Sequence, residues 1–333
     1  MRRLIELIVL ILGFFVALNL GANNTANCVG VAVGGRVLSY RQAMSIIVVF
    51  VILGAVLEGW KNMRTVGQGL IALGPGGANQ LSAIPVVTIA ILIVSGTWLL
   101  VATLFGVPVS ISQSTVGAVF GAGLLLTFVR PDLVVSIKYG QLSAIAISWM
   151  LNPMMAALLG FLILKFVSMS LRQAKNVIFL NQVLGVLILI SSVYSAYTLG
   201  ASDVGTATGV IFAFFDGAPQ LIALFGAVAL SIGAVIFSRR VIYTVGSGIT
   251  SLDPMVAFSA QFGSAVAVWS FVQFGMPVSS SLAIVSAIAG AGLVKGASTV
   301  SRRKLGQIVT AWILTPILCS LLTFAIGWLL LRI

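Results

Sequence analysis

Two short clusters of small and polar residues lie inside otherwise apolar sequence: Gly21-Ala22-Asn23-Asn24-Thr25-Ala26-Asn27 and Gly200-Ala201-Ser202-Asp203-Val204-Gly205-Thr206. Asn23, Asn24, Asn27, Ser202, Asp203 and Thr206 supply amides, hydroxyls and a single carboxylate. Unpaired polar groups in apolar surroundings cost several kcal/mol unless they find partners, and a carboxylate costs most. The default reading of Asp203 is therefore a functional one, with an ion or a polar partner. The plainer alternative is that Asn23, Asn27 and Ser202 glue helices together by small-residue packing. Two clusters at corresponding positions, one holding an Asp, favour function over glue.

A second pair follows prolines. After Pro108 come Ser110, Ser112, Gln113, Ser114 and Thr115, and after Pro277 come Ser279, Ser280 and Ser281. Proline ends the preceding helix and frees backbone groups. A helix restarting on serines presents N–H donors and a positive dipole end, which suits an oxyanion. The alternative is a kink whose hydroxyls bond back to their own helix.

Catalytic chemistry has little to work with. The chain has no histidine, which removes imidazole ligands, bases and pH sensors together. Cys28 and Cys319 stand in apolar surroundings and imply neither a disulfide framework nor a thiolate site. No Walker or dinucleotide fingerprint occurs in a strand–helix context. An intramembrane protease needs a second acid near Asp203, and the other acidic residues lie near loops or helix ends. The chain does not read as an enzyme.

The elements that must position these residues follow from composition. Of 333 residues, 60% are hydrophobic and 7% charged, with a mean hydropathy of +1.19. Soluble domains carry roughly 25% charged residues, so the chain reads as an all-α polytopic membrane protein. At roughly 20 residues per span it holds about ten helices. The net charge is 18 − 6 = +12, but the basic residues sit in short gaps, as Arg36 and Arg41, Lys61 and Arg64, Arg172 and Lys175, and Arg302 to Lys304. That pattern is membrane-flanking charge and not a nucleic-acid surface. Met1-Arg2-Arg3 followed by Leu4–Leu20 reads as a retained first helix, because no A-x-A-type cleavage site interrupts it. Glu58, Lys61, Arg64, Arg239 and Arg240 read as interfacial charges, Arg130 and Asp132 as a loop pair, and the tryptophans as interface anchors.

The sequence is duplicated. Gly54-Ala55-Val56 recurs as Gly233-Ala234-Val235, and Thr65-Val66-Gly67 as Thr244-Val245-Gly246. Pro108-Val109-Ser110 recurs as Pro277-Val278-Ser279, and Trp149-Met150-Leu151-Asn152-Pro153 as Trp312-Ile313-Leu314-Thr315-Pro316. Matched blocks in one order predict two repeats, 1–164 and 178–333, joined by a basic linker over 165–177. In each repeat the first apolar run ends in the Gly-Ala cluster. A second helix follows near 43–57 and 218–237, and a long span near 84–105 and 254–275. Serine-led segments follow at Ser110–Leu126 and Ser279–Val294, and a last span carries Asn-Pro or Thr-Pro.

These residues resemble the inorganic phosphate transporter family, the Na+- or H+-coupled permeases that include a bacterial sulfate permease. The family's duplicated Gly-Ala-Asn-Asp-Val-Ala-Asn signature is matched at 21–27 and 200–206. Its Gly-Arg-Arg-Val-Ile-Glu-Thr-Val-Gly stretch is similar to Arg239–Gly246, and its Pro-Val-Ser-Thr-Thr-His segment to Pro108–Gln113 and Pro277–Leu282. The resemblance implies two inverted repeats with broken or re-entrant helices, and alternating access at their interface. It implies that Ser110, Ser112, Gln113, Ser114, Thr115, Ser279, Ser280 and Ser281 bind the anion. Asn23, Asn24, Asn27, Ser202, Asp203 and Thr206 would then hold the coupling cation, with Na+ a candidate at Asn23, Asn27 and Asp203. No other cofactor is implied. It further implies a multi-pass protein of the plasma membrane, a homodimer, and phosphate as substrate. A sulfate permease of the same family is the alternative, and an uncoupled anion channel is a weaker one. The departures remove ionisable groups: Asn24 replaces the first signature Asp, Gln113 and Leu282 replace histidines, and Val51 and Gln261 stand where glutamates are expected. Phosphate near neutral pH keeps a proton that a carboxylate can accept, whereas sulfate is repelled, and only Asp203 remains for that role.

Overall fold

The computed structural model describes residues 2–34, 36–73, 84–105, 109–131, 134–172, 176–215, 217–248, 253–296 and 302–332. Nine helices among them are long and apolar enough to cross a membrane, and Ser280–Val294 is a shorter apolar helix. The protein is thus a multi-pass integral membrane protein. Its outer helical faces expose Ile147, Met150, Met154, Leu158, Ile313, Ile317 and Leu321, because lipid and not water is the solvent there.

The first half comprises α1 (Arg2–Gly34), α2 (Tyr40–Glu58), α3 (Trp60–Gln68), α4 (Pro85–Leu104), α5 (Ile111–Val129) and α6 (Tyr139–Leu171). The second comprises α7 (Val177–Leu199), a π-helical turn (Gly200–Val204), α8 (Gly205–Phe215), α9 (Pro219–Gly248), α10 (Pro254–Gln273), α11 (Ser280–Lys295) and α12 (Arg302–Leu330). A short antiparallel pair, β1 (Ile71–Leu73) with β2 (Val135–Ile137), ties the end of α3 to the start of α6. Side-chain caps place several starts. Ser39 and Gln42 form a capping box at α2, and Asn176 and Asp253 cap α7 and α10. Pro85 and Pro254 occupy the first turns of α4 and α10, where a missing N–H costs nothing. Helix α6 runs to Leu171, well into the basic stretch 165–177. Asp132, the expected partner of Arg130, lies outside the described residues, as does Pro108.

The first helices of the two halves cross antiparallel. Asn24 of α1 meets Asp203, while Cys28, one turn further along α1, donates to Ser195 O, which precedes Asp203 on α7. By contrast α2 runs parallel to α7 and α8, with Gly54 against Tyr197 and Gly59 against Gly205. The close contacts between helices of the two halves occur in matched pairs. A Cβ on Gly54 would lie 1.9 Å from Tyr197 O, and one on its counterpart Gly233 would lie 2.0 Å from Leu18 O. Likewise Gly21 would meet Leu230 O at 2.0 Å and Gly200 would meet Val51 O at 2.1 Å. Only a residue without a Cβ allows helices this close, the small-residue packing that replaces hydrophobic drive in lipid.

The halves are also interwoven. A central block of α1, α2, α3, α7, α8 and α9 is flanked by two lateral units, and each unit mixes both halves. In one, α12 packs on α4 and α5; in the other, α6 packs on α10 and α11. Gly121 of α5 lies on Ser320 O and its counterpart Gly290 of α11 lies on Ala157 O, with a Cβ at 2.1 Å and 1.9 Å respectively. The serine-led helices therefore belong to the lateral units, and the Gly-Ala clusters belong to the central block.

Two sequence expectations about these elements are corrected. The first Gly-Ala cluster does not end its helix, because α1 continues through it to Gly34. The second does not end its helix either: it is a π turn linking α7 and α8 without a break. Helical backbone hydrogen bonding survives in both, since Ala and Gly let neighbours pack closely and Thr25 and Thr206 bond back to Gly21 O and Ser202 O. The breaks before the serine clusters are as expected: α4 ends at Leu104 and α5 starts at Ile111, and α10 ends at Gln273 and α11 starts at Ser280.

Candidate oxyanion and cation site

Where α1 crosses the π turn, Asp203 is fully buried. Its Oδ2 accepts from Asn24 Nδ2 at 2.9 Å and from Ser280 Oγ at 2.6 Å. Asn24 Nδ2 also reaches Ser280 Oγ at 3.4 Å, and Ser281 Oγ donates to Asn24 Oδ1 at 3.5 Å. One turn on, Asn27 Nδ2 donates to Ser281 Oγ at 2.9 Å. Ser202 Oγ donates to Val278 O at 3.5 Å, in the segment leading to the serines. Two helices from opposite halves and the start of α11 thus converge on one carboxylate.

Asp203 Oδ1 has no hydrogen-bond partner. The ion pairs among the described residues are Arg2–Glu6 and Lys61–Glu58, so no cationic side chain among them compensates Asp203. A buried charge without a counter-charge is held at a cost of several kcal/mol, which a bound cation or a proton offsets. At Asp203 Oδ2 stand the Asn24 amide N–H and the Ser280 hydroxyl, with Asn24 Oδ1 and Ser281 Oγ bonded to each other beside them; carboxylate, amide and hydroxyl oxygens are the ligand types a hard cation takes. No group of three or more His, Cys, Asp or Glu occurs among the described residues.

The local fold explains the convergence. A π turn is a one-residue insertion in a helix and is common at functional sites. Here it is clasped by glycine contacts on both sides: Gly200 lies on Val51 O, and a Cβ on Gly205 would lie 2.2 Å from Gly59 O. Asn62, buried on α3, donates to Ser202 O at 3.2 Å within the turn. Ser279 caps α11, its Oγ accepting from Leu282 N at 3.1 Å, which leaves other first-turn N–H groups without an intrahelical acceptor.

The two serine clusters differ in company. Ser280 and Ser281 bond to Asp203, Asn24 and Asn27. Ser110, Ser112, Gln113, Ser114 and Thr115 are all buried, but their hydrogen bonds stay local. Ser110 Oγ lies 2.8 Å from Ser112 Oγ, Ser110 caps Gln113 N at 3.3 Å, and Ser114 Oγ donates to Ile111 O at 3.1 Å. Gln113 Oε1 and Thr115 Oγ1 are buried without a partner. The first signature divides in the same way. Asn24 and Asn27 face α11, whereas Asn23 donates to Thr103 Oγ1 of α4 at 2.8 Å. Thr206 bonds back within its own helix.

The groups that hold the α11 segment are ones that sequence reasoning misses. Asn152 Nδ2 donates to Ser279 O at 3.0 Å, and Trp149 Nε1 donates to Pro277 O at 2.9 Å. Trp269 likewise makes an inter-helix bond, its Nε1 donating to Glu58 at 3.2 Å. The repeated Trp-x-x-Asn/Thr-Pro block is the available signal; only the interweaving of α6 with α11 gives it a partner. Glu58 and Lys61, read in the sequence as interfacial charges, form a pair at 2.9 Å and are mostly covered.

Comparison with known proteins shows the family of the chain. A model of the phosphate transporter family matches residues 20–181 and again 180–323. A protein of Methanocaldococcus jannaschii named "Putative phosphate permease" is 30% identical over 319 residues, covering 96% of this chain and 95% of its own. One of the same name from Chlamydia muridarum is 26% identical, covering 92% of this chain and 94% of its own. A solved structure titled "The sodium-dependent phosphate transporter" superposes with a TM-score of 0.85 at 25% identity, over 99% of both chains. The relatives are permeases and transporters, not enzymes, and the chain belongs to the phosphate transporter family.

Proposed function

We propose that the protein is a secondary active transporter that carries inorganic phosphate together with Na+ or H+, by alternating access. The observation that carries this reading is the junction of Asn24, Asp203 and Ser280, where a buried, uncompensated carboxylate meets the N-terminus of a broken helix. Phosphate binds at the start of α11 through Ser279, Ser280 and Ser281 and the first-turn N–H groups. Ser110, Ser112, Gln113, Ser114 and Thr115 of α5 close on it from the other lateral unit. The coupling ion sits at Asp203, with Asn23, Asn24, Asn27, Ser202 and Thr206 shaping the surrounding polar pocket. Membership of a phosphate transporter family, and likeness to a structure titled as sodium-dependent, support both assignments.

Asp203 also favours phosphate over sulfate. A carboxylate oxygen without a partner accepts the proton that phosphate retains near neutral pH and repels an anion that has none. Because α6 and α12 are exchanged between the halves, the moving bodies are the two lateral units against the central block, and not 1–164 against 178–333. Withdrawal of α11 from the signature helices opens the site to one face, and withdrawal of α5 opens it to the other.

The test is uptake of labelled phosphate and sulfate into proteoliposomes under imposed Na+ and H+ gradients. Phosphate should accumulate only when one gradient is present, and sulfate should not compete. Gradient-independent flux would assign a channel instead, and preferential sulfate uptake would overturn the substrate.

A further inference from the structure

Outside this junction one other carboxylate is almost fully bonded. Glu58, at the end of α2, accepts at Oε1 from Tyr197 Oη at 2.6 Å and from Trp269 Nε1 at 3.2 Å. Its Oε2 accepts from Lys61 Nζ at 2.9 Å and Gln273 Nε2 at 2.6 Å. Lys61 Nζ closes the ring by donating to Gln273 Oε1 at 2.7 Å. The Glu58 and Lys61 side chains are 17% and 20% exposed, so the cluster lies at a rim of the protein and not in its depth.

The donors are placed on the two elements that carry the junction. Tyr197 is on α7, less than two turns before Asp203 on the same continuous helix. Trp269 and Gln273 are on the last turns of α10, and the chain then turns directly into Ser279, Ser280 and Ser281. That turn is itself seated on α3. Gly275 adopts φ +64°, and a Cβ there would lie 3.2 Å from Lys61 O and 3.1 Å from Thr65 Oγ1. One side chain therefore grips the Asp203 helix with one oxygen and the root of the serine segment largely with the other.

We propose that Glu58 is a positioning residue for phosphate: it sets the register of the α10–α11 turn against the Asp203 helix, so that Ser280 Oγ meets Asp203. The inference rests on the reading of that junction as the phosphate site.

The other half supplies the contrast. By the repeat correspondence, Glu58 matches Phe237, Tyr197 matches Leu18, and Trp269 and Gln273 match Leu100 and Leu104. All four are apolar, and Phe237 and Leu104 are 54% and 75% exposed. The serine cluster of that half is the one whose hydrogen bonds stay local. Ile111 stands opposite Ser280, so the like-for-like pair is Ser281, which bonds to Asn27 beside the polar grip, and Ser112, which bonds only to Ser110 where the grip is absent.

The experiment measures KM and Vmax for labelled phosphate uptake in proteoliposomes carrying Ser280→Ala, Glu58→Ala, the double variant, Glu58→Gln, Gln273→Ala and Phe237→Ala. Ser280→Ala and Glu58→Ala should each raise KM about tenfold, and the double variant no further, because both act through one contact. Glu58→Gln, whose amide oxygen still accepts from Tyr197 and Trp269, should recover most of the affinity. Phe237→Ala should leave KM within about twofold of the parent. An increased KM in Ser280→Ala with an unchanged one in Glu58→Ala, or independent multiplication in the double variant, overturns the positioning role and leaves the site intact. An unchanged KM in Ser280→Ala overturns the phosphate site itself. Should Glu58→Ala fail to fold, the exposed Gln273→Ala decides, with a rise of about threefold expected and no change contradicting the proposal.

Discussion

The two serine-led helices α5 and α11 begin alike and end up in different circumstances. Each starts a new helix beyond the end of the preceding one, and each is capped by a serine whose hydroxyl accepts the N–H three residues on, Ser110 for Gln113 and Ser279 for Leu282. Each packs through a glycine on a proline-bearing helix of the opposite half, α5 on α12 and α11 on α6. Yet α11 reaches the signature helices and α5 keeps its hydrogen bonds local. The frames are equivalent, so the difference comes from the residues that depart from the repeat. Asp203 faces Ser280 where its counterpart is the neutral Asn24, and the polar group at Glu58 has an apolar counterpart. Duplication supplies two matched scaffolds, and divergence decides which one holds charge.

The sharpest way to break that contrast is Asp203→Asn, which gives both signatures an Asn at this position. Gradient-driven phosphate uptake should be abolished while the protein still inserts and purifies, and uptake at the parent rate would remove Asp203 from the coupling site. The next effect is the difference between serines of the two clusters, where Ile111 stands opposite Ser280 and Ser112 opposite Ser281. Ser280→Ala loses a hydrogen bond to a charged group, worth about 1.5–3 kcal/mol and so roughly tenfold or more in affinity, whereas Ser112→Ala removes a neutral bond worth about 1 kcal/mol. Equal KM values for the two variants would show that the halves contribute alike. A smaller effect is expected from Asn152→Ala, which frees Ser279 O without touching phosphate. KM should rise about fivefold, by the net worth of one neutral bond, with Vmax little changed. The symmetric core closes the series, with no difference expected between the halves. Gly54→Ala and Gly233→Ala push a Cβ onto equivalent carbonyls, so both should lower the thermal midpoint by similar amounts. A loss in only one would mean that the central block is less symmetric than its glycine contacts.

Residue type and spacing, which are local, carry much of this architecture: the clusters at 21–27 and 200–206, the breaks before Ser110 and Ser279, and the duplicated order are all legible in the sequence. Helix continuity through the Gly-Ala clusters is not. Gly, Asn and Ser favour breaks in isolation, and only the close packing of Gly21 on Leu230 and Gly200 on Val51 keeps those segments helical. The anchoring of Ser279 by Asn152 is equally hidden, because it depends on α6 leaving its own half to pack on α11. Glu58 reads as an interfacial charge in the sequence because its partners Tyr197, Trp269 and Gln273 come from helices of the other half, far along the chain.

The most direct test of the site is equilibrium binding of labelled phosphate to the purified protein, titrated with Na+ at fixed pH and with protons at fixed Na+, for the parent and for Asp203→Asn. The expected result is that phosphate affinity in the parent rises with one of the two cations, and that the rise disappears in Asp203→Asn. Affinity independent of both cations in the parent, or an undiminished rise in Asp203→Asn, would contradict coupling at the Asn24–Asp203–Ser280 junction.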